Sequence, residues 1–241
     1  MDDEIDQLMK NLHLTRMREV FDREMTRATK AKSPYRDVVA NLLREQQAWQ
    51  RQRAFEYRVK TARLPDRWSL DTFPFKLQPG VNAAAIKQLG ELDFVRKAEN
   101  LVFIGPTGVG KTGLASGILL RALENGYRGL FIKAQDLFDD MLNSLADQHS
   151  RKLLNHLRSV DVLLIDEMGF VNLRAEQCNI FFKLMDERYS RKATIITTNL
   201  DYDDWYGFLG RKEMVGALLD RLRHHCNTIR IEGPSLRQPA A

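Results

Sequence analysis

The stretch GPTGVGKT at 105–112 has the residue types and spacing of a phosphate-binding loop. It matches G-x-x-x-x-G-K-[ST] and lies between an apolar run and a helical one, the flanks that this motif needs. Gly105, Gly108 and Gly110 let the backbone curl so that its N–H groups face a triphosphate. A helix starting near Lys111 adds the positive end of its dipole. Lys111 reaches for the β- and γ-phosphates, and the Thr112 hydroxyl is a ligand for magnesium. The nucleotide-binding set is therefore Gly105, Pro106, Thr107, Gly108, Val109, Gly110, Lys111, Thr112 and Gly113.

A second stretch, VLLIDE at 162–167, delivers Asp166 at the carboxyl end of an apolar strand, where open α/β sheets place their ligands. Asp166 is the second expected metal ligand, acting through the ion's water shell. Glu167 is positioned to accept a proton from an attacking water. A third stretch, TTN at 197–199, ends the following strand, and Asn199 has an amide able to orient water or sense a phosphate. The plainer reading of Asn199 is a turn residue after a strand.

These groups need a scaffold, and the sequence supplies one. From residue 100 onward, short β-branched runs alternate with helical stretches. Strands are expected at 101–104, 129–134, 160–166, 194–199 and 228–231, with helices at 111–125, 135–148 and 174–191 between them. Strands separated by helices predict a parallel sheet in an α/β layer fold. Residues 1–64 differ: they hold no glycine and one proline, and apolar positions such as Ile5, Leu8, Met9 and Leu12 recur at helical spacing. Ser33-Pro34 has the form of a helix start. Between these parts, residues 65–80 crowd Pro65, Trp68, Phe73, Pro74, Phe75, Pro79 and Gly80 into a stiff connector able to dock on a surface. The expected domains are thus 1–64, helical and basic, and 81–241, the nucleotide-binding part, with 65–80 as linker.

Composition narrows the class. No run approaches 18 consecutive apolar residues, which argues against a membrane span, and the acidic N-terminus MDDEIDQLMK is unlike a secretory signal. A cytoplasmic location is the expectation. Two cysteines, Cys178 and Cys226, are too few for a disulfide or zinc framework and are read as buried thiols. The whole chain carries a net charge of +5, but residues 10–64 hold fourteen Lys or Arg against six Asp or Glu, a local surplus of +8. Such a surplus suits an anionic partner, nucleic acid first. A solvated helical face gives the same pattern. His224, His225 and Cys226 are consecutive and project in different directions, so they are not expected to share a metal ion. Lys133 and RKLLNHLR at 151–158 are open to two readings, contact with DNA phosphates or a solvated basic face.

The chain resembles the AAA+ ATPases, and within them the IstB/DnaC group of transposition helpers and helicase loaders. The resemblance covers nearly the whole chain. It rests on the basic helical N-terminal part, LDFVRKAENLVFIGPTGVGKT (92–112), VDVLLIDEMG (160–169), ERYSRKATIITTNL (187–200) and ALLDRLRHHC (217–226). The last two stretches are more similar to the transposition helpers than to the loaders. The resemblance implies a P-loop AAA+ parallel-sheet core behind a small all-α N-terminal domain. It also implies ATP hydrolysis with Mg2+, assembly of several copies on DNA, expected to be duplex, and stimulation of a partner transposase. It assigns Arg221, in LLDRL, as an arginine finger reaching a neighbour's γ-phosphate, and Arg237, in SLR, as a second phosphate-sensing arginine. Leu236 stands before Arg237 where the family pattern usually has an aromatic. Only ten residues follow the last expected strand, so the helical lid of larger AAA+ proteins is not expected. The alternatives are a replicative helicase loader, or a nucleotide-switched DNA-binding scaffold without significant hydrolysis.

Overall fold

The computed structural model describes residues 3–143, 148–169, 173–210 and 212–237. The chain forms two compact units, Met1–Tyr57 and Arg58–Ala241. The first holds α1 (Asp3–Asn11), α2 (Thr15–Ala31) and most of α3 (Tyr35–Thr61). Lys32, at φ 49°, ends α2 in the left-handed region, and α3 begins one residue after Pro34. Val20, Val38 and Leu42 form the buried centre of this unit, with Met17, Phe21 and Ala28 packed around them. Between α2 and α3, the buried Gln46 side chain accepts from the Met17 N–H at 2.9 Å. Among the described residues, no helix is long and apolar enough to cross a membrane.

The second unit is a parallel α/β layer, the fold class expected from the alternating pattern. After α4 (Ala83–Leu89) and α5 (Asp93–Arg96) come β1 (Asn100–Ile104), α6 (Lys111–Glu124), β2 (Gly129–Lys133), α7 (Ala134–Asn143), α8 (Gln148–Ser159) and β3 (Val162–Met168). They are followed by α9 (Ala175–Arg188), β4 (Ala193–Thr198), α10 (Trp205–Leu209), α11 (Lys212–His224) and β5 (Cys226–Arg230). Residues 144–147, part of the helix expected over 135–148, lie outside the described residues. The strands are ordered β2-β3-β4-β1-β5, and every pairing is parallel. Parallel strands buried on both faces read as near-continuous apolar runs. Accordingly, all five residues of β1 and all six of β4 are buried. One core cluster joins α7, α9 and α11 to one sheet face through Phe138, Phe181 and Leu218. The other joins α6 to the opposite face through Leu114, Ile118 and Leu119.

Two long-range features have no local sequence signature. Phe131, on the outer strand β2, donates its N–H to the Ala62 carbonyl at 2.7 Å, which pairs part of the exposed sheet edge. Arg188, at the end of α9, is only 1% exposed. Its guanidinium donates to the carbonyls of Leu157, Val160 and Ala193 and to the Thr194 hydroxyl. Burial lowers it to about 9, and the field of Asp161 opposes that shift.

The proline- and aromatic-rich connector also packs inside the second unit. Trp68 and Leu70 lie against Gly113 and Gly117 of α6, and Phe73 lies against Gly110. Phe73 and Phe75 meet edge-on at 4.9 Å between ring centroids.

Candidate functional site

The site lies at the carboxyl ends of β1, β3 and β4. β1 ends at Ile104, and the loop from Gly105 to Gly110 carries the chain into α6. Gly108 and Gly110 adopt φ of 87° and 97°, backbone that residues with a Cβ rarely enter. Gly110 caps α6, so the first-turn N–H groups of Lys111, Thr112 and Gly113 have no intrahelical acceptor and open toward the loop. Lys111 folds back over the loop and donates from Nζ to the carbonyls of Gly105 and Pro106, both at 2.7 Å. Burial lowers the Lys111 ammonium below its ordinary value; Asp166 and Glu167 oppose this, while Arg237 adds to it. The C-terminal Arg237 is thus near enough to the loop for its charge to act on Lys111.

Asp166 is 2% exposed and faces α6. Thr112 donates its hydroxyl to the carboxylate at 2.9 Å, and Thr197 donates from β4 to the same oxygen, Oδ1. Burial raises Asp166 above the usual carboxylate range, and these two hydrogen bonds pull against it. Thr112 and Asp166 form an adjoining pair of hard oxygen donors, the set that magnesium takes.

Glu167 leaves the strand differently. The β3–β4 register slips between Ile165 and Met168, and Glu167 has φ 60°, in the left-handed region. A bulge of this kind re-aims the side chains that follow it. The Glu167 N–H donates to Thr197 Oγ1 at 3.0 Å, and its half-exposed carboxylate pairs with Lys133 Nζ at 3.3 Å. Asn199 follows β4, with its side-chain oxygen beside Gly169.

The structure therefore brings together Gly105 to Gly113, Lys111, Thr112, Asp166 and Glu167, and sets Arg237 within electrostatic reach. Arg221 is elsewhere in the unit. It is half exposed on α11, pairs with Asp186 of α9 at 3.0 Å, and rims a cavity of about 180 Å³ lined by Met185, Leu218 and Leu222. Nearby, His224 accepts or donates at Nδ1 with the Tyr189 hydroxyl, 3.1 Å away. Among the described residues, no three His, Cys, Asp or Glu side chains converge as a metal site.

Sequence reasoning missed two members of the network. Thr197 is the residue that joins Asp166 to the Glu167 backbone, although attention to the TTN stretch fell on Asn199. The signal was available in strand periodicity: Thr197 and Asn199 share one side of β4, and only Thr197 lies inside the paired strand. Lys133, open in the sequence to readings as a DNA contact or part of a solvated basic face, is here an ion-pair partner of Glu167.

Comparison with known proteins agrees with this geometry. Residues 7–240 match the family described as IstB-like ATP binding protein. An insertion sequence IS21 protein of Pseudomonas aeruginosa, named for ATP binding, is 32% identical over 234 residues, covering 97% of this chain and 88% of the relative. The corresponding IS232 protein of Bacillus thuringiensis subsp. berliner is 35% identical over 179 residues, 74% of this chain and 72% of the relative. In fold, the chain is similar to a crystal structure of DnaI, with a TM-score of 0.56 and 24% identity over 62% of this chain and 85% of that one. It is likewise similar to the DnaC helicase loader, with a TM-score of 0.58 and 24% identity over 68% and 97%. With the family match spanning both units and the phosphate loop in its expected setting, the chain belongs to the IstB-like ATP binding protein family.

Proposed function

We propose that this protein is an ATP-hydrolysing helper of insertion-sequence transposition, which assembles on DNA and stimulates a partner transposase. The observation that carries the reading is the hydrogen-bonded pair of Thr112 and Asp166 behind a glycine loop, in a chain whose relatives belong to insertion sequences.

Lys111 exchanges its two carbonyl contacts for the phosphates of ATP. The loop N–H groups and the start of α6 hold the same phosphates. Thr112, and Asp166 through the ion's water shell, would hold magnesium, which would neutralise charge on the phosphates. Glu167 accepts the proton of the attacking water once Lys133 releases its carboxylate. Asn199 orients that water, and Arg237 adds positive charge at the phosphates. Arg221 acts across a subunit interface as the finger that completes a neighbour's site. The basic surplus of residues 10–64 supplies contacts to DNA phosphates, with weak sequence preference.

The test is ATP turnover with and without duplex DNA, alongside DNA binding at about 50 and 200 mM salt. The reading expects DNA-stimulated hydrolysis and affinity falling by orders of magnitude with salt. Absence of turnover with and without DNA favours the nucleotide-switched scaffold instead. Capture of a replicative helicase in place of a transposase identifies a loader.

A further inference from the structure

We infer that Gln78, in the connector before the α/β core, is a positioning residue for the phosphate loop. It acts with the C-terminal segment to aim two of the loop's N–H groups inward. The inference rests on the nucleotide-binding reading of Gly105–Thr112.

Gln78 is fully buried, which is rare for a glutamine. Its amide nitrogen donates to two carbonyls that are remote in sequence, Val109 at 3.2 Å and Pro234 at 3.0 Å. One neighbour is in the phosphate loop and the other is in the strap that follows β5. The strap makes its own contact to the loop one residue earlier: the Leu236 N–H donates to the Gly108 carbonyl at 2.8 Å. The Leu236 side chain then lies beside Gly110, next to Phe73. The strap's first residue is equally close, since a Cβ on Gly105 would stand 2.3 Å from the Ile231 carbonyl oxygen. Connector, loop and strap thus form one packed unit.

Peptide geometry gives these bonds a consequence. The described residues contain no cis peptide bond. In a planar trans peptide, the carbonyl of one residue and the N–H of the next point in opposite directions. Holding the Gly108 carbonyl on the strap therefore turns the Val109 N–H the other way, into the loop. Holding the Val109 carbonyl on Gln78 does the same for the Gly110 N–H. Gly108 and Gly110 at φ of 87° and 97° are the flexible points on either side. Glycine peptides flip readily, and a loop whose carbonyls swing inward repels phosphate. Two external donors suppress that flip before nucleotide arrives, so the binding surface is organised in advance.

The experiment uses the full chain and ATP as ligand. Gln78→Met keeps the length of the side chain and removes both donors. Leu236→Pro removes the other N–H, along with the Leu236 side chain that packs beside Gly110 and Phe73. Thermal unfolding without nucleotide reports the fold, and the rise in Tm on adding ATP reports the site. The expected result for each variant is a folded protein whose ATP and ADP dissociation constants are at least tenfold weaker. In turnover assays KM should rise by more than kcat falls, because the chemical groups are intact. Gln78→Leu, which keeps an apolar side chain of similar bulk and cannot donate, should behave like Gln78→Met. Wild-type ATP affinity in a folded Gln78→Met overturns the assignment whatever Leu236→Pro shows, and if Gln78→Met does not fold, wild-type affinity in Leu236→Pro overturns it. Lys111→Ala separates this from the underlying reading: undiminished ATP affinity in that variant refutes the phosphate loop itself.

Discussion

Thr197 donates its hydroxyl to Asp166 from the neighbouring strand, and the same oxygen accepts the Glu167 N–H. One side chain on β4 therefore fixes both acidic residues at the end of β3. In a regular strand, adjacent residues face opposite sides. Here the register slip and the left-handed φ of Glu167 break that alternation, and Thr197 satisfies the N–H freed from the ladder. Asp166 is kept inside against Thr112, while Glu167 is held outward toward Lys133.

Thr197→Val tests this hinge. Valine has nearly the same shape but neither donates nor accepts. The buried Asp166 oxygen loses one partner and the Glu167 N–H loses another, a cost of about 1–3 kcal/mol. Magnesium-dependent ATP turnover should fall at least tenfold, and Thr197→Ser should recover most of it. Steady-state hydrolysis measured on both variants is the check; equal rates in Thr197→Val and wild type would show that the bridge has no catalytic consequence.

Asp166 predicts a trade between stability and activity. Burial raises its pKa in the folded state, so the native protein binds that proton more tightly than the unfolded chain does. The charge therefore costs stability above the folded pKa. The cost shrinks as pH falls through that value and vanishes below the unfolded value of about 3.9. Asp166→Asn removes the charge, and its amide oxygen can still accept from Thr112 and Thr197. The variant should unfold a few degrees higher than wild type near pH 7, while magnesium-dependent turnover is lost. Calorimetry across pH gives a second check, since the advantage of Asn should narrow as the pH is lowered.

Arg188 should be among the most sensitive positions in the core. Its fork closes the end of α8 and the start of β4 at once, through Leu157, Val160, Ala193 and Thr194. Arg188→Met fills the volume but leaves these buried acceptors unpaired, for a loss of about 3 kcal/mol or more. Lysine offers a compact ammonium in place of a planar fork, so Arg188→Lys should recover only part. Denaturant unfolding of the two variants measures the difference.

The parts legible in the sequence share one property: their meaning is local. The glycine spacing of 105–112, the apolar run before Asp166 and the alternation of strands with helices each lie within a short window. The sheet class and the setting of the phosphate loop follow from them. Thr197, Gln78, Arg188 and the Lys133–Glu167 pair are different. Each takes its role from a partner brought close by strand order, across 30 to 156 positions for the hydrogen bonds of Thr197 and Gln78. A Thr in a strand, a Gln in a proline-rich connector and an Arg at a helix end look ordinary until the topology is known. In the TTN stretch, residue types alone do not say which polar side chain meets the carboxylate.

Glu167 and Lys111 should separate binding from chemistry. Glu167→Gln keeps size and hydrogen bonding but is not a base at neutral pH. ATP affinity should stay near wild type, and turnover should fall by about 10²–10⁴. Lys111→Ala should instead lose nucleotide binding, because its ammonium, folded over Gly105 and Pro106, is the positive charge that the loop itself carries. Equilibrium binding of ATP to each variant, paired with single-turnover hydrolysis, distinguishes the roles.

Arg221 offers the sharpest test of an assembled site. Its guanidinium is half exposed and pairs with Asp186 on the surface, a contact worth about 1 kcal/mol or less. Arg221→Ala should therefore leave the isolated chain folded, with unfolding close to wild type. If Arg221 completes a neighbour's site, the same variant should lose DNA-stimulated hydrolysis while a single chain still binds ATP. DNA that aligns several copies raises their effective concentration, so stimulation depends on what each copy presents to the next. Mixing Arg221→Ala with Lys111→Ala protein makes the dependence visible. One partner keeps a working phosphate loop and the other keeps the arginine, so a fraction of mixed interfaces contains both. Hydrolysis on DNA should rise above the sum of the two variants alone and peak near equal proportions. Co-assembly without any such gain would place the action of Arg221 within its own subunit, where Asp186 already holds it.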